Sequence, residues 1–120
     1  ANSEILLFAQ VETRRAVENV NAILSVTGLD GIYVGPADLS LSYGVAPSMC
    51  PTDTAVVNAI ADIRQRARAS GLIAAIHTDG GATAGRRFAE GFQFCSLPAD
   101  VRLLIDAVRA AVADAKPHQR

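Results

Sequence analysis

The sequence predicts an α/β fold built on a parallel sheet, and three observations predict it. Four short apolar runs recur about every 30 residues; each is followed by a stretch whose apolar residues fall at helical spacing; and glycines punctuate the junctions. Strands that alternate with helices in this way pair in parallel, each joined to the next by a right-handed helical return. Two architectures satisfy the pattern. One is a small doubly wound sheet; the other is half of an eight-stranded (β/α) barrel, which needs about 250 residues when whole. Periodicity does not choose between them.

The first run, Ile5 to Val11, is continuous enough for a strand buried on both faces. Its period of two places Gln10 and Glu12 on the same side as Leu6 and Phe8. Thr13 then caps a helix with Ala16, Val17, Val20, Ile23 and Leu24 on its apolar stripe, closed by Gly28. A second strand runs from Asp30 to Val34 and leads into Gly35-Pro36-Ala37-Asp38, read as a turn. A loop from Ser40 to Pro51 precedes a helix over Thr52 to Ser70. That helix buries Val56, Val57, Ile60, Ile63 and Ala67 and sends Arg64, Arg66 and Arg68 to its solvated side. Gly71 stops it.

Leu72 to Ile76 forms the third strand, running into His77-Thr78-Asp79-Gly80-Gly81. A short helix over Thr83 to Ala89 stops at Gly91. The fourth strand spans Phe92 to Leu97, and the fourth helix spans Ala99 to Ala115 with Val101, Leu104, Ile105, Val108 and Val112 facing inward. Residues 1–120 thus read as one domain, with Lys116 to Arg120 a frayed tail.

Composition narrows the function classes. Half of the 120 residues are apolar and the formal net charge is -1, so there is no basic field to hold nucleic acid or an anionic membrane surface. No apolar run approaches the roughly 18 residues of a membrane span. Cys50 and Cys95 stand far apart and outside any zinc spacing, which fits a reduced, cytoplasmic protein in which Cys95 is a small buried hydrophobe.

In both architectures ligands gather at the carboxyl ends of the strands, where loops converge. Gln10, Glu12, Asp38, His77, Asp79 and Ser96 all lie at that rim. Two acids that end successive strands repel one another unless a proton or a cation sits between them. A hard divalent ion such as Mg²⁺ or Mn²⁺ takes one or two carboxylates and keeps several waters. The competing structural roles are a helix cap for Asp38 and an ion pair with Arg14 or Arg15 for Glu12. Gly35 leaves room for close approach, and the N–H groups of Ala37 and Asp38 are free to face an anion.

Gln10-Val11-Glu12-Thr13, then Gly28 through Gly35-Pro36-Ala37-Asp38-Leu39-Ser40, and later Gly91-Phe92-Gln93-Phe94 with Leu97, Asp100 and Leu104, resemble the HpcH/HpaI aldolase family. The resemblance covers nearly the whole chain and begins at the family's fifth strand. It implies the C-terminal half of a TIM (β/α)8 barrel and a metal-dependent carbon–carbon lyase that forms or cleaves 4-hydroxy-2-oxo acids through a pyruvate enolate. By that resemblance Glu12 and Asp38 are the ligands of Mg²⁺, Mn²⁺ or Co²⁺, and Gln10, Pro36, Ala37 and Asp38 hold the 2-oxo acid. An aldehyde is the second small-molecule partner.

The family's catalytic His and Arg belong to the first four strands, which this chain does not contain. His77 stands at the rim as the substitute proton-transfer group. A sheet bent for a barrel also leaves an apolar face open, with Leu6, Phe8, Ile32 and Val34 expected on it. A homo-oligomer or the missing N-terminal half is expected to cover that face. The alternative function is a non-catalytic half-barrel remnant or assembly module that binds metal and 2-oxo acid without turnover.

Overall fold

The fold is described from a computed structural model for residues 4–115; the predicted frayed tail lies outside the described residues. Four strands, β1 (Phe8–Val11), β2 (Gly31–Val34), β3 (Ile73–His77) and β4 (Phe94–Ser96), form one parallel sheet in the order β1-β2-β3-β4. Six helices separate and follow them: α1 (Arg14–Glu18), α2 (Val20–Leu24), α3 (Pro36–Ser42), α4 (Thr54–Ala69), α5 (Gly81–Glu90) and α6 (Asp100–Ala115). The strand order decides between the two architectures. A doubly wound sheet reverses direction at a switch point and is covered on both faces, whereas an order that advances by one strand each time, with right-handed returns, keeps its helices on one face. This sheet is an arc of a barrel wall.

Strand parity shows which face is packed. Val11, Val34, Ile76 and Cys95 align across the sheet, as do Ala9, Ile32 and Ala74 one step earlier. These rows join Leu39, Val56, Ile60, Ile63 and Ala67 in one core. Ile32 and Val34, expected on the uncovered face, are therefore fully buried beneath the helices. The open face carries Phe8, Gln10, Tyr33 and Phe94 instead, and Leu6 is exposed outside the strand. Gly31 is buried on this face because the Phe8 ring crosses it: a Cβ there would stand 2.5 Å from Phe8 Cε1 and 2.6 Å from the Ile73 carbonyl oxygen. The Phe8 and Phe94 ring centroids lie 6.0 Å apart.

Several expected elements shift. The first helix divides at Asn19, whose amide donates back to the Arg15 carbonyl at 2.7 Å and whose backbone leaves the helical region. The segment read as a turn and loop after β2 is helix α3, with Pro36 at its first position and Leu39 and Ser40 buried. Val57 is 42 % exposed, because its position falls outside the stripe that Val56, Ala59, Ile60 and Ile63 bury. On the solvated side Arg66 pairs with Asp62, Arg68 donates to the Gly91 carbonyl, and Arg64 lies over the Phe92 ring. Gly91 closes α5 in the left-handed region, φ 102°.

The largest correction concerns α6. Val101, Leu104, Ile105, Val108 and Val112 do not face inward; none of its residues is buried. β4 is a sheet edge, and a right-handed return packs its helix across two neighbouring strands. No further strand follows among the described residues, so this stripe has no sheet to cover.

Asp53 caps α4 through bonds from the Ala55 and Val56 amides, 3.0 and 3.1 Å. Asp53→Ala should cost about 1 kcal/mol, read as a lower thermal midpoint.

Candidate functional site

The carboxyl ends of β1, β2 and β3 converge on an open cavity of about 240 Å³ whose wall includes Gln10, Tyr33, Pro36, Ala37, Asp38 and His77. Four of the expected substrate-binding positions and His77 thus meet in one place. The reason is parity and register: Gln10 pairs with Tyr33, and His77 with Ser96, on the face turned away from the helices.

Glu12 stands one step beyond β1 and is half-buried. Its Oε2 accepts from Gln10 Nε2 at 2.5 Å. The same oxygen passes so close to Gly35 that a Cβ at that position would stand 2.7 Å from it. The crowding is a matter of space alone, since the Gly35 φ of -100° suits any residue and a Cβ there would push the flexible end of Glu12 aside. Gly35→Ala should leave the fold intact, displace the far end of Glu12, and weaken Mn²⁺ binding about tenfold in a calorimetric titration.

Asp38 is exposed in the first turn of α3. It is not the cap, a place taken by Gly35, and an acid there is favoured by the helix dipole. Glu12 makes no ion pair with its neighbouring arginines among the described residues. The Arg14 guanidinium lies 4.6 Å over the Tyr43 ring, while its backbone N–H donates to Ser42 Oγ. Two carboxylates without a cationic partner among the described residues, one of them lying against Gly35, are the donor type that a hard divalent ion completed by water or ligand oxygens takes. No group of three or more His, Cys, Asp or Glu side chains with metal-holding geometry occurs among the described residues.

Sequence reasoning missed Tyr33. Its hydroxyl lies 2.8 Å from His77 Nδ1 and also hydrogen-bonds Ser96 Oγ, which is 2.7 Å from the same nitrogen. The signal was available: Tyr33 is the one polar-tipped side chain of an otherwise apolar strand, on the same parity as Gln10. Asp79 lies apart, exposed in a neighbouring cavity. There the Thr83 side chain, then its own backbone N–H and the Cys50 thiol, hold its carboxyl below the usual range against a smaller opposing effect of burial. Cys95 is half-buried against the core rather than fully enclosed, and burial pushes its thiol up.

The sequence and the fold have known relatives. The sequence matches the profile of the HpcH/HpaI aldolase/citrate lyase family over residues 1–107. The chain belongs to this family. It is 40 % identical over 116 residues to a hydroxypyruvate/pyruvate aldolase of Rhizorhabdus wittichii, covering 97 % of this chain and 46 % of that protein. It is 36 % identical over 115 residues to a 4-hydroxy-2-oxo-heptane-1,7-dioate aldolase of Salmonella arizonae, covering 94 % and 42 %. The crystal structure of a family member from Burkholderia cenocepacia superposes with a TM-score of 0.89 at 29 % identity, over 97 % of this chain and 44 % of that one. The chain thus spans about half the length of the relatives it matches. The four-stranded arc fits the C-terminal half of the family's TIM barrel. Among the described residues no helix is long and apolar enough to cross a membrane.

Proposed function

We propose that this HpcH/HpaI family chain carries the metal and 2-oxo-acid half of an aldolase active site, for cleavage or formation of 4-hydroxy-2-oxo acids. The observation that carries the reading is the contact between Glu12 and Gly35, three residues before Asp38. It brings the ends of two strands together at one carboxylate beside a cavity of small-molecule size.

Glu12 and Asp38 hold the cation, Mg²⁺, Mn²⁺ or Co²⁺, all of which accept such oxygen donors. When bound, it supplies Lewis acidity toward the oxygens of a 2-oxo acid. The rest falls to the chain. Gln10 fixes the Glu12 carboxylate through its amide and lines the cavity. Pro36 has no N–H to present, so the first free donors of α3 are Ala37 and Asp38, placed to hold the acid's carboxylate. His77 reaches the same cavity from β3 and is the group placed to exchange a hydrogen bond or proton with the aldehyde-derived oxygen.

The open face of the arc and the α6 stripe call for the remaining strand–helix units of the barrel or a further copy of the chain. Turnover is proposed to require that partner, with reduced cytoplasm as the setting. Calorimetric titration with Mn²⁺ and pyruvate, beside a pyruvate–aldehyde exchange assay, tests the proposal. Expected is metal-dependent pyruvate binding. Binding without exchange, even after the barrel is completed, would favour a non-catalytic binding half-barrel; absence of metal binding would overturn both readings.

A further inference from the structure

Tyr33, His77 and Ser96 come from three adjacent strands and meet on the open face, each within hydrogen-bonding distance of the other two. All three are half-buried. Thr78, fully buried at the end of β3, donates to the Ser96 carbonyl from its hydroxyl at 2.7 Å and from its amide at 3.2 Å, which locks the ends of β3 and β4 together. Core packing does not require a polar trio at this point, because the core lies on the other face of the sheet.

Counting protons favours one arrangement, the one that satisfies every donor without recourse to solvent. The two hydroxyls bring one proton each, and the side-chain hydrogen bonds they make among the described residues all run within the trio. If Nδ1 carried a proton, it would donate to one hydroxyl, that hydroxyl to the other, and the last hydroxyl proton would have no acceptor in the trio. If Nδ1 is unprotonated, one hydroxyl donates to it and the other donates to the first hydroxyl. Every donor in the trio then has an acceptor. The ring proton is thereby placed on Nε2, the nitrogen left for a ligand. His77 forms part of the wall of the cavity beside Asp38 and also of the adjoining one.

We propose that Tyr33 and Ser96 are positioning residues that hold His77 in the neutral tautomer protonated on Nε2. The ring then donates a hydrogen bond to the oxygen on the substrate carbon that bonds to, or parts from, the pyruvyl unit. The identity of that oxygen rests on the function proposed above; the tautomer does not. This makes His77 a donor rather than the base that its place at the rim suggests. It also explains why a tyrosine and a serine occupy inward positions that packing alone would fill with apolar residues.

The chain has only two histidines, His77 and His118, so ring-nitrogen NMR of the histidine-labelled full chain reads the tautomer directly, with His77→Gln identifying the signal. The spectra are taken at pH about 8.5, above the ordinary imidazole range. Expected is one His77 species with a protonated Nε2 and a bare Nδ1. Tyr33→Phe and Ser96→Ala, each leaving one hydroxyl to donate to Nδ1, should keep the single species, whereas the double variant should convert it to a tautomer mixture. A protonated Nδ1 or a mixture in the wild-type chain overturns the proposal, as does a single Nε2–H species that persists in the double variant. Addition of Mg²⁺, pyruvate and acetaldehyde should shift the Nε2–H signal. An unmoved signal while calorimetry shows pyruvate bound overturns the donor role. A single Nε2–H species in a chain that binds neither metal nor pyruvate overturns the aldolase reading alone and still supports the positioning role.

Discussion

Replacing Glu12 or Asp38 by alanine should lower Mn²⁺ affinity at least about 100-fold, the upper end of what loss of a supporting contact around a metal costs. The reasoning follows from the donor count. If the two carboxylates are the proposed protein ligands, each variant removes half of the charge and half of those ligands, and water alone takes the empty position. The two variants differ in what else they disturb. Asp38 stands in the first turn of α3, so its loss also removes a favourable dipole interaction of about 0.3–1 kcal/mol. Glu12→Gln keeps the side chain's shape beside Gly35 and isolates the charge. Asp62→Asn, on the surface of α4 and paired only with Arg66, is the control and should leave affinity unchanged. Equal affinity in Glu12→Gln and wild type, measured by calorimetry, would remove this carboxylate from the site.

Ile76→Ala should destabilise the chain by about 2–5 kcal/mol, a large part of the 5–15 kcal/mol that holds a domain of this size together. Ile76 is fully buried in the middle of the row Val34, Ile76 and Cys95, on the face that α4 covers with Ile60 and Ile63. Truncation leaves a cavity that three strands and a helix cannot all collapse into. Phe94→Ala provides the contrast. Its ring is half exposed and touches chiefly Phe8 on the open face, so the loss should be about 1 kcal/mol or less. Urea unfolding with an unchanged slope measures both. A Phe94 variant less stable than the Ile76 variant would mean that the open face, not the helical one, holds the core.

Much of the fold was legible because its signals are local. Short apolar runs marked all four strands, though each observed strand is shorter or shifted by a few residues. Gly91 stopped α5 where its position promised. Pro36 shows a signal read for the wrong structure. Proline after glycine suits a turn, and it equally suits the first position of a helix, where its missing N–H costs nothing. The burial of Leu39 and Ser40 selects the helix, and burial depends on α4 lying against it.

The site divides along the same line. Gln10, Glu12 and the Gly35 to Asp38 segment were evident from their places at strand ends, where chain direction alone sends them to one rim. By itself the sequence determined the alternation of strands and helices, the parity that sets Gln10 and Glu12 on one side, and the motif that carries the family resemblance. Each depends on a few residues near one another along the chain. Only the tertiary structure decided that the helices share one face, that Ile32 and Val34 are covered while the α6 stripe is not, and that Tyr33, His77 and Ser96 meet. Those facts depend on strand order and register, which bring together residues as many as 63 positions apart, and no local spacing encodes such a distance.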